Sequence, residues 1–138
     1  MKRTAVVLGL TLAMVMALGL IGSQVLYAQQ DPVKRTVLQK MDVPGSPDKE
    51  AVVLLAEVAP GMAAGKHWHP GHEFFYVLDG SGSLMVKGKK AVSVKAGDTG
   101  HLMPKQIHDV KNTSKTDPLK VLVFAIYEKG QPIATMVK

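Results

Sequence analysis

Residues 61–80 read GMAAGKHWHPGHEFFYVLDG. This stretch contains two histidines separated by one residue, His67 and His69, and a glutamate four residues later, Glu73. Side chains at even spacing lie on one face of an extended strand. The three side chains can therefore converge if the chain bends at Pro70-Gly71 without changing face. Two imidazoles and a carboxylate that converge suit a divalent transition-metal ion.

The apolar run after Glu73 argues against the alternative that these are merely polar surface residues. Residues 74–78 read FFYVL, which is the pattern of a buried strand. Phe75 and Val77 share the parity of Glu73, so we expect them to line a cavity. The three intervening side chains point the other way and are also apolar. Their face needs cover from another strand or from a second subunit, and we therefore predict a homodimer.

The length and composition of the chain limit the number of domains and the kinds of partner that it can have. A chain of 138 residues with 46% hydrophobic residues indicates one domain with one core. Because the chain has no cysteine, it has no disulfide partner, no thiolate nucleophile and no zinc-thiolate site. The net charge is +6, but the basic residues are scattered and aromatic residues are only 5%. A nucleic-acid partner is therefore not predicted, since such binding needs a basic stripe or a stacking platform.

The first thirty residues have the order of a secretory signal peptide. A basic start, Met1-Lys2-Arg3, precedes an apolar stretch over 5–22, and Ala28 is followed by polar residues. We predict a signal peptide over 1–28 and a single domain over 29–138. The alternative is an uncleaved membrane anchor, since the apolar stretch can nearly span a bilayer. In either case the domain is expected to be exported, either to the periplasm or into the medium.

After removal of that leader, the chain keeps one arginine, Arg35. Arginine is the residue that best recognises phosphate and carboxylate groups with two parallel hydrogen bonds. A dedicated sugar-phosphate site is therefore disfavoured, and a small neutral, phenolic or weakly anionic substrate fits better.

The remaining sequence predicts short strands separated by glycine and proline turns. Strands are expected at 34–41 on an edge, at 50–58, at 99–103 and at 108–111, with a hairpin formed by 83–86 and 91–95. Residues 119–127, LKVLVFAIY, are apolar on both faces and should form a central strand. The last residues, 130–138, read as a tail. Many short strands without an amphipathic helix predict an all-β sandwich or barrel.

At this point the chain resembles the cupins. Their first motif is G-x5-H-x-H-x3-E-x6-G, and five residues fill it without a spacing error: Gly61, His67, His69, Glu73 and Gly80.

The second cupin motif is G-x5-P-x-G-x2-H-x3-N. Gly97, His108 and Asn112 have the right separations. Met103 stands where the first proline is expected and Lys105 where the glycine is expected, so the turn between them departs from the pattern. The two motifs cover residues 61–112, and the flanking strands extend the likeness over most of the domain.

The resemblance implies a double-stranded β-helix, or jelly-roll barrel, in a small single-domain metal-binding cupin. It also implies one divalent metal ion bound by four side chains: His67, His69, Glu73 and His108.

Such a ligand set has a definite chemistry. Three neutral imidazoles and one carboxylate leave an octahedral ion with two adjacent open positions, which suits a bidentate substrate or a substrate together with dioxygen. Without cysteine nothing selects a soft metal, so Fe, Mn, Ni, Cu and Zn all fit. We predict a metal-dependent oxidoreductase of dioxygenase type acting on a small substrate. The alternatives are a non-catalytic metal- or ligand-binding module of the cell envelope, and a metal-assisted isomerase or decarboxylase.

Polar residues near the motifs are candidates for contacts around the ion. Each ligating imidazole needs a hydrogen bond on its other nitrogen, and Asp98, Gln106 and Asn112 are near in sequence. His72 and His101 are expected at the rim or the surface, with a substrate contact as the alternative for His72. The flexible side chain of Met103 is a further candidate for the cavity lining.

Overall fold

This computed structural model describes residues 31–138, and this part of the chain forms ten β-strands and no helix. The expected signal segment, 1–28, lies outside the described residues. Among residues 31–138 no helix is long and apolar enough to cross a membrane. The strands are β1 (Val33–Val43), β2 (Ser46–Val58), β3 (His67–Trp68), β4 (Gly71–Asp79), β5 (Ser81–Val86), β6 (Val92–Lys95), β7 (Thr99–Leu102), β8 (His108–Asn112), β9 (Leu119–Glu128) and β10 (Thr135–Met136).

The strands form two five-stranded sheets in which every neighbouring pair is antiparallel. The order is β1-β2-β9-β4-β7 in one sheet and β10-β3-β8-β5-β6 in the other. The predicted all-β jelly-roll architecture is confirmed. The prediction of a central strand from the apolar segment 119–127 is also confirmed, since β9 lies between β2 and β4. β1 lies at a sheet edge, as expected.

The core lies between the two sheets and follows from alternation along the strands. Every second residue of β2 and of β9 faces inward, and most of these residues are apolar. The buried members are Val52, Leu54 and Val58 on β2 and Leu119, Val123, Ala125 and Tyr127 on β9. The inward face of this sheet therefore supplies most of the hydrophobic surface against which the site is built.

The motif glycines stand where the backbone takes a left-handed conformation. Gly61, Gly80 and Gly97 have φ angles of +69°, +85° and +93°, which side chains with a Cβ rarely adopt. Lys105, which replaces a motif glycine, has a φ of +58°. Among residues 31–138 it is the one residue other than glycine with a positive φ. The turn before β8 thus keeps the left-handed residue despite the substitution.

The C-terminal segment is more than the tail that its sequence suggests. Its β10 pairs with β3, so that Thr135 lies opposite Trp68 and Met136 opposite His67. Two-residue strands carry no periodic signal, because their hydrogen bonds are made by the backbone with a distant segment. As a result the strand that carries His67 is flanked on both sides, by β10 and by β8.

Candidate metal centre

Three histidines from two strands and the loop between β3 and β4 come together between the sheets. His67 on β3 lies directly opposite His108 on β8, and His69 follows two residues after His67 on the same face. One ring nitrogen from each lies within 4.8 Å of the others. All three are buried, with exposed fractions of 3%, 5% and 4% for His67, His69 and His108. The second motif therefore delivers its histidine to the two from the first.

Each imidazole is oriented by a backbone carbonyl group. In all three rings Nδ1 lies within hydrogen-bond distance of a main-chain oxygen: Gly65 for His67 (2.7 Å), Ile133 for His69 (2.6 Å) and Gln106 for His108 (2.9 Å). A carbonyl oxygen can only accept, so Nδ1 carries the proton and donates it. The neutral ring then leaves Nε2 unprotonated, with its lone pair available to a metal ion.

The three clustered nitrogens cannot hydrogen-bond to one another, but all three can bind one cation. Three buried nitrogens that can only accept hydrogen bonds face one another, and a metal ion satisfies all three. Burial lowers the pKa of His69 and of His108 from 6.5 to about 4, with the hydrogen bond to the carbonyl opposing this in each case. Both rings are therefore neutral at pH 7, as metal ligation requires.

Glu73 lies beside this cluster and is held by a tyrosine. It is buried on β4, and its Oε2 is 3.3 Å from Nε2 of His69. The same oxygen accepts a hydrogen bond of 2.5 Å from the hydroxyl group of Tyr127. Burial raises the pKa of Glu73, and the Tyr127 hydrogen bond lowers it. The carboxylate lies beside His69 but is not part of the compact group of three imidazoles.

Gly71 allows β4 to begin immediately after the bend at Pro70. β4 pairs with β9 from its first residue, where Gly71 lies opposite Tyr127. A Cβ on Gly71 would stand 1.9 Å from the carbonyl oxygen of Ile126. The close approach of the two backbones sets the register in which Glu73 lies opposite Ala125, two residues from Tyr127.

An apolar cavity of about 70 Å³ adjoins the cluster. The three histidines and Glu73 contribute to its wall, and Phe75 and Val77 line it as the parity of β4 predicts. Met103, expected to line the cavity, does not: it is 51% exposed. It follows the end of β7 in a turn closed by a hydrogen bond from its N–H to Oε1 of Gln106, so its side chain points into solvent. The cavity also includes Arg35, which the sequence did not connect with the site.

His72 and His101 lie outside the cavity. Both side chains are exposed on the outer face of the sheet, where Nδ1 of His72 is 3.0 Å from Nε2 of His101. Their rings stack with centroids 5.2 Å apart, and Phe74 stacks on His101 at 4.4 Å. The odd spacing of His72 from His69 explains this, because adjacent residues on a strand point to opposite faces. Both histidines therefore lie at the surface, as expected, and the alternative of a substrate contact for His72 does not agree with this position.

The expected polar partners of the imidazoles have other roles. Asn112 is fully buried, and its Nδ2 donates to the carbonyl groups of Val58 (3.0 Å) and Asp117 (2.8 Å), which joins β8 to the end of β2. Asp98 accepts from the backbone of its own turn. Gln106 orients His108 with its main-chain oxygen and not with its side chain. Main-chain carbonyl groups leave no residue-type signal, so the sequence could not identify them.

Tyr127 is the polar side chain that the sequence reading missed. It shares the inward parity of Val123 and Ala125 on β9, and it is 1% exposed. A hydroxyl group buried on an inward face needs a partner. That signal was available in the sequence, although the identity of the partner, 54 residues away, was not.

Comparison with known proteins agrees with this arrangement. The family model described as "Cupin domain" matches residues 54–125. The chain is 37% identical over 71 residues to an oxalate-binding protein of Thermotoga maritima, covering 51% of this chain and 58% of that protein. It is 37% identical over 106 residues to auxin-binding protein 1 of Arabidopsis thaliana, covering 69% of this chain and 53% of that protein. The chain thus spans a little over half the length of both relatives.

A solved structure extends the likeness to the fold. The DMSP lyase DddQ of Ruegeria pomeroyi superposes with a TM-score of 0.63 at 18% identity, covering 84% of this chain and 57% of that chain. At this identity the comparison shows a common jelly-roll fold and nothing about substrate.

Proposed function

This chain belongs to the cupin family, and we propose that it binds one divalent transition-metal ion through His67, His69 and His108, with Glu73 as the fourth ligand. The observation that carries this proposal is the approach of three buried imidazole nitrogens to within 4.8 Å. A divalent ion held in this way would supply Lewis acidity and two adjacent open positions.

The side chains around the cluster support an enzyme acting on a small substrate. The hydroxyl group of Tyr127 holds Oε2 of Glu73 and fixes the orientation of the carboxylate. Phe75 and Val77 contribute apolar side chains to the cavity wall. Its volume of about 70 Å³ is roughly half of the ~150 Å³ of an engineered cavity that binds benzene. We therefore propose a metal-dependent oxidoreductase of dioxygenase type for substrates of a few non-hydrogen atoms.

Dioxygen uptake tests this activity. The purified protein is loaded in turn with Fe, Mn, Ni, Cu or Zn and mixed with a panel of small diols, hydroxy acids and carboxylic acids. We expect substrate-dependent uptake with a redox-active ion and none with zinc. His108→Ala should abolish it, and His101→Ala, which replaces an exposed histidine, should not. Uptake that persists in His108→Ala would refute a reaction at this cluster.

A non-catalytic binding module is the second candidate. The small cavity favours it, and so does the 37% identity to a protein named for binding oxalate, a dicarboxylate of six non-hydrogen atoms. In that case the loaded protein should bind oxalate reversibly in a calorimeter and release it unchanged. Conversion of bound oxalate, measured by chromatography of the recovered ligand, would instead favour the decarboxylase or another enzymatic alternative.

We further propose that the protein is a homodimer that pairs through the outer face of the sheet containing β4 and β9. Four large side chains on that face are about half exposed in the single chain: Phe74, Tyr76, Leu78 and Phe124. A two-fold interface would carry this patch from both subunits, so one substitution acts twice. Phe74→Lys should yield a monomer in sedimentation while the metal stays bound. Val92→Lys, at an exposed apolar residue of the other sheet, is the matched control, and a monomeric unmodified protein would refute the dimer.

We also propose that the protein is exported, because residues 1–28 have the order of a secretory signal peptide. We expect cleavage after Ala28, so that Gln29 is the N-terminal residue of the mature protein. Mass spectrometry of the protein from its producing cells measures this. An intact chain in the membrane fraction would favour the anchor, and an intact cytosolic chain would exclude both forms of export.

A further inference from the structure

Arg35 is a charged side chain on the wall of an otherwise apolar cavity. It lies on β1 opposite Ala56 of β2, on the face that carries the core residue Val33. It lines the same cavity as the three histidines and Glu73. Its neighbour Lys34 points the other way, with a side chain that is 76% exposed and 3.9 Å from the carboxylate of Glu57. Because side chains alternate along β1, Arg35 faces the cavity and Lys34 faces the solvent.

The guanidinium group of Arg35 has no carboxylate partner within the protein. Among residues 31–138, which include every aspartate and glutamate of the chain, no carboxylate lies within ion-pair distance of it. No side-chain hydrogen bond involves it in this part of the chain either. A guanidinium group has five donors and is costly to remove from water without acceptors. Lys40, on the same strand, does have a partner, since its Nζ is 2.8 Å from the carboxylate of Glu50.

The positive charge of Arg35 lies on the wall of the cavity that holds the histidine cluster. Arg35 lines the same cavity wall as the four proposed metal ligands. With a divalent ion in place, the ion and its four ligands carry a charge of about +1. Arg35 adds a second positive charge to the same cavity. An apolar cavity with two uncompensated positive charges favours an anionic ligand.

We propose that Arg35 is a specificity-determining residue that binds a carboxylate group of the ligand, so that the cavity takes small carboxylates in preference to neutral molecules of the same size. This inference rests on the proposed metal site, because the ligand would meet the ion with one oxygen group and Arg35 with another. It narrows the sequence-based expectation of a small neutral, phenolic or weakly anionic ligand to the anionic class. The planar fork of arginine matches a carboxylate with two parallel hydrogen bonds, which a lysine cannot do.

Calorimetry with three carboxylates and one neutral analogue tests the proposal. The purified protein is loaded with zinc, which is redox-inactive, and titrated with oxalate, acetate, succinate and the uncharged diamide oxamide. We expect at least one carboxylate to bind and oxamide not to bind. Arg35→Met should weaken carboxylate binding by about 10- to 100-fold, the range for hydrogen bonds to charged groups. Zinc content should not change.

Lys34→Met is the matched control, because it removes the same charge from the opposite face of the same strand. It should leave carboxylate binding within about twofold of the unmodified protein. Equal weakening in both variants, unchanged binding in Arg35→Met, or equal affinity for oxalate and oxamide would each overturn the proposal. If Arg35→Met does not fold, Arg35→Lys serves instead: it keeps the charge and loses the fork, and unchanged carboxylate binding would overturn the proposal.

Failure of the metal site would be recognised separately. A protein that takes up no zinc refutes the proposed metal centre, whatever Arg35 does. The same titrations on zinc-free protein then test whether Arg35 binds carboxylates without the metal ion. Carboxylate binding that is lost in Arg35→Met and kept in Lys34→Met would support the role of Arg35, and binding that is indifferent to Arg35 would refute it.

Discussion

Acid should destabilise the metal-free protein, because two of the three clustered histidines are buried as neutral imidazoles. Burial lowers the pKa of His69 and of His108 from 6.5 to about 4. Between these two pH values the unfolded chain binds a proton on each ring and the native protein does not. Each histidine therefore lowers the free energy of unfolding by about 1.4 kcal/mol per pH unit as the pH falls.

Glu73 acts in the opposite direction over part of the same range. Burial raises the pKa of its carboxyl group above 4.5, so the native protein keeps a proton that the unfolded chain releases. This lowers stability as the pH rises, and it cancels at most one of the two histidine contributions. Between pH 6.5 and 4.5 the net loss is about 2 to 4 kcal/mol. Native domains have only about 5 to 15 kcal/mol in total.

Urea unfolding at a series of pH values measures this loss, with the fluorescence of Trp68, the one tryptophan, as the signal. His108→Gln should flatten the pH dependence, because it removes one of the two histidine contributions. Glu73→Gln should make it steeper, because it removes the opposing contribution. His101→Gln, at an exposed position outside the cavity, is the matched control. A free energy of unfolding that stays constant or rises between pH 6.5 and 4.5 would refute this reasoning.

Three further substitutions test contacts that support the cluster. Tyr127→Phe should weaken metal binding by about 10- to 100-fold in a chelator competition, because Glu73 loses the hydroxyl group that orients it; unchanged affinity would contradict this role. Asn112→Ala should lower the free energy of unfolding by about 3 kcal/mol, since its buried amide bridges separate segments; a loss below about 1 kcal/mol would count against it. Gly71→Ala should prevent native folding, judged by circular dichroism, because its Cβ would meet the carbonyl oxygen of Ile126; a native spectrum with full metal content would contradict that.

The features of the fold that the sequence predicted are those with a local signal. Local patterns of apolar and turn residues predicted eight of the ten strands, namely β1, β2 and β4 to β9. The spacing of His67 and His69 indicated β3, while β10 has no pattern of its own. The central position of β9 followed from its apolar character on both faces. Strand parity also predicted correctly that Phe75 and Val77 face the cavity.

The features that the sequence did not predict depend on contacts between distant segments. The carbonyl group that orients His69 belongs to Ile133, 64 residues away, and any residue type could supply it. Arg35 was not connected with the site, because nothing local shows which face of β1 turns inward. Met103 was assigned to the cavity by its chemistry, but the turn after β7 directs it into solvent.

Metal content per chain tests the central claim most directly. The purified protein, His108→Ala and His101→Ala are each equilibrated with zinc, freed of excess ion, and measured by elemental mass spectrometry against protein concentration. We predict about one ion per chain for the unmodified protein and for His101→Ala, and much less than one for His108→Ala. Full zinc content in His108→Ala, or none in the unmodified protein, would contradict the metal centre.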